Sequence, residues 1–147
     1  MMSNRGFERV ACCVDLTERS RQVQARAAAV AAMAGAELTI VHVAPPPATA
    51  PSGVIPSVTT PAGTTIDIHA SLDAWLEQLA SRDPYARAEL IEGLGVGETL
   101  CAWADSNRIS LIVVGSREGG VAASLGSTAS YLVRHAPCDV LVVRGEH

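Results

Sequence analysis

Leu111-Ile112-Val113-Val114-Gly115-Ser116, then Gly126-Ser127-Thr128, and finally Val140-Leu141-Val142-Val143 decide how this chain folds. An apolar, β-branched-rich run that stops at a Gly-Ser pair suits a strand buried on both faces and ending in a turn. Gly126-Ser127-Thr128 opens a helix whose apolar positions Ala129, Leu132, Val133 and Ala136 fall on one stripe at i, i+3, i+4 and i+7. Ser127 or Thr128 is placed to accept hydrogen bonds from the unsatisfied amides of its first turn. Pro137 stops the helix, and residues 140–143 supply a second buried strand. Strand, helix and strand in this order make a right-handed βαβ crossover. Its glycines sit at the carboxyl end of a strand, where a phosphate fits against backbone amides and the helix dipole.

The rest of the chain repeats this alternation. Residues 10–14 read as a first strand, and Thr17 with Glu18 begins a helix with Val23, Ala27, Val30, Ala31 and Ala34 on its buried stripe, ended by Gly35. Residues 38–43 form a second strand. Residues 44–64 then carry six prolines and no charge, which predicts a long proline-rich loop, extended rather than helical, acting as a mobile flap near the site. Ile68, Leu72, Trp75, Leu76 and Leu79 mark another amphipathic helix, Asp83-Pro84 a turn, and residues 86–91 a strand. Gly97-Glu98 opens a helix with Leu100, Trp103 and Ala104 inward. The pattern β-α-β-α-β-α-β-α-β predicts one α/β domain over residues 1–147, a five-stranded parallel sheet with helices on both faces. In such sheets ligands bind beyond the carboxyl ends of the strands, the edge at which Asp15, Val43, Gly115 and Gly126 fall.

Composition narrows the chemistry. The formal charge of -4 and pI near 5.5 argue against nucleic acid or an anionic membrane as the main partner. All eleven cationic side chains are Arg, so a Walker-type lysine, a Schiff-base lysine and a kinase-type ion pair are excluded. Cys12, Cys13, Cys101 and Cys138 lack metal-ligand spacing, and neighbours in one strand point to opposite faces, so they read as reduced core thiols. With no apolar leader and no apolar span of membrane length, the expected compartment is the cytoplasm.

Particular residues now stand out, each with a plainer reading beside the functional one. Asp15 at a strand end is placed to bind ribose hydroxyls or an adenine amino group, or else to cap the following helix. Gly115, Gly126, Ser127 and Thr128 make a candidate phosphate cradle, though glycine turns before helices are common. Arg117 is placed to pair with a phosphate, or to be solvated on its loop. His42 and His135 are explained by packing or by a helix C-terminus. No nucleophile elbow, paired carboxylates or Cys-His spacing supports covalent catalysis, so no catalytic residue is assigned.

Val113-Val114-Gly115-Ser116-Arg117, Leu125-Gly126-Ser127-Thr128 and the run from Val133 through His135-Ala136-Pro137-Cys138-Asp139 to Arg144 resemble the C-terminal signature of the universal stress protein family. Val14-Asp15 and Leu38-Thr39-Ile40-Val41-His42-Val43 agree with its N-terminal half. The resemblance implies a Rossmann-like sheet in the order 3-2-1-4-5, Asp15 as a nucleotide contact, and the Val43 backbone on the adenine edge. It also implies a homodimer through the last strand, Val140, Leu141, Val142 and Val143.

One departure concerns the phosphates. ATP-binding members carry Gly-x2-Gly-x9-Gly-Ser/Thr, whereas this chain has Glu118 at the second glycine, Gly119 and Gly120 only nearby, and two residues fewer before Gly126. A carboxylate 4 Å from a phosphate repels it by roughly 1 kcal/mol in water and by several times that when desolvated; Mg²⁺ would offset this. The expected function is therefore a cytoplasmic, adenine-nucleotide-responsive regulatory or protective binder taking ATP or AMP, with Mg²⁺ optional and no structural metal. The alternatives are a protein-interaction module that has lost nucleotide binding, and a slow ATPase.

Overall fold

The structure, a computed structural model, describes residues 6–15, 19–46, 57–59, 61–63, 65–67, 74–78, 81, 83, 85–116 and 126–144. Its strands are β1 (Arg9–Cys13), β2 (Glu37–Ala44), β3 (Ser57–Thr59), β4 (Thr65–Asp67), β5 (Ala86–Glu92), β6 (Leu111–Gly115) and β7 (Asp139–Val143). The helices are α1 (Ser20–Ala34), α2 (helical at 74–78), α3 (Val96–Ser106) and α4 (Ser127–His135). The main sheet runs β5-β2-β1-β6-β7 with every neighbour parallel, which is the 3-2-1-4-5 order when its strands alone are numbered.

Alternation along the central strands explains why they are apolar throughout. Val10 and Cys12 of β1, Leu38 and Ile40 of β2, and Leu111 and Val113 of β6 pack with Val23, Ala27 and Ala31 of α1 and with Leu76 of α2. Ala11, Val41, Ile112 and Val114 face the other way, onto Leu100 and Ala104 of α3 and Ala129 and Leu132 of α4. Cys12 and Cys13 fall on opposite faces, as period-two geometry requires. All four cysteines are free thiols.

Local chemistry sets the element ends. Gly35 closes α1 in the left-handed region at φ 65°, its N–H donating to Ala32 O while Ala36 N–H donates to Ala31 O, the paired closure of a Schellman motif. Ala34, expected on the buried stripe, is exposed in the last turn of α1, where the chain is already closing through Gly35. Asp83 makes the turn into β5 by accepting from Tyr85 N–H at its side chain and from Ala86 N–H at its carbonyl. α1 begins at Ser20 behind Arg19; the expected start at Thr17 and Glu18 lies outside the described residues.

The stretch 44–64 holds more than a loop. β3 falls inside it and pairs antiparallel with β4 just beyond, Val58 opposite Ile66. Short β-branched segments, Ser-Val-Thr and Thr-Ile-Asp, separated by a turn through Gly63 at φ 84°, account for this hairpin. Of the expected flap over residues 44–64, residues 47–56, 60 and 64 lie outside the described set. Among the described residues no helix is long and apolar enough to cross a membrane.

Candidate functional site

The chain leaves β1 for α1 on one face of the sheet and leaves β6 for α4 on the other. The carboxyl ends of these adjacent strands therefore diverge and open a crevice between them. A cavity of about 370 Å³ fills that crevice, within the usual range for small-ligand pockets. Asp15, Val43, Gly115, Gly126, Ser127 and Thr128, six of the residues singled out from sequence, line it together. Arg117, with Glu118, Gly119 and Gly120, lies outside the described residues.

Gly126 has a conformational reason to be glycine. It sits at φ 80° and ψ 161°, a region closed to side chains bearing a Cβ, and serves as the N-cap of α4. The N-cap is Gly126, which has no side chain to cap with, so the expected capping by Ser127 or Thr128 is not what the described residues show. Both residues instead occupy the first helical turn and line the cavity, where backbone amides that lack intrahelical acceptors and two hydroxyls are offered to an anion. Gly115 has a packing reason: a Cβ there would lie 2.9 Å from Val23 Cγ2, so its absence lets α1 approach the end of β6.

Asp15 lies ahead of the N-cap of α1, which is Arg19. Its Oδ1 accepts from Ser20 Oγ at 3.0 Å, and its backbone N–H donates to the same oxygen at 3.2 Å. Ser20 is 2% exposed, so this hydroxyl holds both the backbone and the carboxylate of Asp15 from inside the core. Ser20→Ala should therefore weaken a ligand bound through Asp15 by roughly 5- to 10-fold, about 1 kcal/mol for one buried hydrogen bond, with α1 intact. Titration calorimetry of the variant beside a Ser20→Thr control checks this; equal affinity in Ser20→Ala would show that Asp15 needs no such support.

Sequence reasoning missed three wall residues. Arg19 brings a guanidinium to the cavity, its Nη1 3.5 Å from the carbonyl oxygen of Ser116, so a cation is present at the wall independently of Arg117. Ser20 and Val96 line the cavity too, and neither belongs to a motif in the sequence. His42, read as packing, also lines the cavity, and its Nδ1 is 2.7 Å from Val14 O. Cys13 lines it as well, with a thiol pushed up to about 12 by burial and then by the charge of Asp15. Among the described residues no group of three or more His, Cys, Asp or Glu side chains is placed to hold a metal ion.

The universal stress protein family model matches residues 6–144. The chain belongs to the universal stress protein family. It is 30% identical over 148 residues to universal stress protein A homolog 1 of Coxiella burnetii, a match covering 93% of this chain and 96% of that protein. Among solved structures, a universal stress protein in complex with cAMP matches with a TM-score of 0.71 at 22% identity, covering 96% of this chain and 99% of that one. The universal stress protein of Archaeoglobus fulgidus in complex with dAMP matches with a TM-score of 0.63 at 20% identity, covering 92% and 97%. At these identities the solved structures establish the universal stress protein fold, and two of these neighbours carry adenine nucleotides.

Proposed function

We propose that this universal stress protein is an adenine-nucleotide-responsive binding module of the cytoplasm, regulatory or protective rather than catalytic. The observation that carries the reading is the convergence, at one switch-point crevice, of an oriented carboxylate at Asp15, the apolar walls Val43, Val96 and Val114, and the N-terminus of α4 at Gly126, Ser127 and Thr128. An adenosine moiety suits the first half and a phosphate the second. The cAMP and dAMP complexes of its structural neighbours support a nucleotide with a single phosphate, such as AMP, ahead of ATP with Mg²⁺. Free thiols fit a reducing compartment.

Calorimetry with AMP, cAMP and ATP, each with and without Mg²⁺, tests the reading on protein stripped of ligand. Saturable binding at micromolar to low-millimolar ligand supports it. Silence at millimolar concentrations of all three would leave the protein-interaction module. Turnover of ATP above a heat-treated control would support the slow ATPase.

The same reading includes a homodimer through β7. The two sheet edges differ: β5 exposes Arg87, Glu89 and Glu92, whereas β7 offers Val140, Leu141 and Val142, all half-buried, with Val143 buried at its end. Charged residues blunt an edge and apolar ones invite pairing. Val142→Lys should convert a sedimenting dimer to monomer; a dimer that persists would place the interface elsewhere.

A further inference from the structure

His42 stands on β2 beside Val43, on the side of the crevice away from α4. β1 lies between β2 and β6, so His42 is separated from the phosphate end by two strand spacings, about 10 Å. A carbonyl oxygen only accepts, so the 2.7 Å contact with Val14 O places the ring's hydrogen on Nδ1. The neutral ring is then held in one tautomer, and Nε2 is an acceptor. It has no hydrogen-bond partner among the described residues. The half-buried ring forms part of the cavity wall, so Nε2 is the polar atom His42 has left for a ligand.

Resting on the nucleotide-binding reading above, we propose that His42 Nε2 accepts a hydrogen bond from the base or ribose of the ligand and that the site binds in the unprotonated state of this ring. The second acceptor at this end of the cavity is the Asp15 carboxylate, so the two residues together select a moiety rich in N–H and O–H donors. Protonation turns Nε2 into a donor and sets it against the donor it had been reading.

Among the described residues, titratable and charged groups lie around His42. β1 contributes Cys13, the segment after it Asp15, and the N-cap of α1 Arg19; on β5, Glu92 lies two residues beyond Leu90, which is level with His42. The wall residues from α3 and α4, Val96, Ser127, Thr128 and Ala129, do not titrate. The Cys13 thiol, raised chiefly by burial, stays uncharged at neutral pH.

The test measures the affinities of adenosine and cAMP between pH 5.5 and 8. Adenosine carries no phosphate, and the phosphodiester of cAMP holds one fixed charge, so neither ligand titrates in this interval. Both should bind several-fold more weakly at pH 5.5 than at pH 8. His42→Gln, whose amide oxygen accepts without titrating, should bind with an affinity flat in pH. His42→Phe should bind weakly throughout, and thermal melts at each pH show whether both variants fold; should the Phe variant not fold, the Gln profile decides. A flat wild-type profile, or His42→Phe binding like wild type, would overturn the role of His42 and leave nucleotide binding standing. Tighter cAMP binding in acid, with adenosine unchanged, would mean that the imidazolium attracts phosphate and would also overturn it. No saturable binding of either ligand at any pH would remove the nucleotide reading, and this inference with it.

Discussion

Gly126→Val should weaken nucleotide binding by about 2–4 kcal/mol, roughly 30- to 1000-fold, while the five-stranded sheet stays folded. Two effects act together. At φ 80° and ψ 161° a β-branched residue costs on the order of 1–3 kcal/mol, so the N-cap of α4 rotates away from its present path. The amides of Ser127 and Thr128 then no longer converge on the cavity, and hydrogen bonds to a charged phosphate are among the strongest the site has to offer. Gly126→Ala separates the causes. Alanine is small but equally excluded from this backbone region, so a loss close to that of valine assigns the effect to conformation, and a much smaller loss assigns it to bulk. Calorimetry with AMP or cAMP reads the affinity, and circular dichroism reads the sheet. Unchanged affinity in both variants would mean that the ligand does not sit on the α4 N-terminus.

Cys13 should react with iodoacetamide at pH 8 about 1000-fold more slowly in the folded protein than in guanidinium. The thiolate is the nucleophile, and a thiol raised from 9.0 to about 12 has roughly a thousandth of the ordinary thiolate fraction at neutral pH. Burial is the larger cause, with the negative charge of Asp15 second. Cys12, fully buried on the opposite face, is pushed up further still, again chiefly by burial. Peptide mass spectrometry after timed labelling separates the two sites from Cys101 and Cys138. A folded-state rate within tenfold of the unfolded one would show that Cys13 is open to reagent and holds a stable thiolate. The linkage has a definite sign. The unfolded chain sheds these protons above about pH 9 while the folded one retains them, so stability falls as pH rises from 9 towards 12 and is unaffected by these thiols at neutral pH.

The central strands were legible because each is apolar on both faces, a pattern that a parallel sheet demands and few other elements tolerate. β6 and β7 could be placed to within a residue from Leu111 to Gly115 and from Asp139 to Val143, and the alternation with helices gave the layer order. Asp15, Val43 and the glycines were legible as neighbours around one crevice because the carboxyl strand ends must gather at one edge. Arg19, Ser20 and Val96 were not, for a physical reason: their importance lies in where α1 and α3 begin relative to the crevice, and helix periodicity says which face is buried rather than what the first turn touches. Ser20 carries a signal only in hindsight, as a hydroxyl placed to meet the carboxylate of Asp15. Gly115 illustrates a different limit. Its sequence context read as a phosphate turn, and its environment adds a steric demand from Val23 that no local pattern encodes. The β3–β4 hairpin escaped because three-residue strands are too short for alternation to register.

The unlike edges of the sheet also bear on how far self-association can proceed. Two copies joined at β7 across a twofold axis would form one continuous ten-stranded sheet, and its outer borders would be the two β5 strands with their exposed Arg87, Glu89 and Glu92. A third copy would find no apolar border to extend. Such a pairing would consume the permissive edge, so the asymmetry would act as a terminator, setting a finite particle of two and guarding a valine-rich sheet against growth into a fibre.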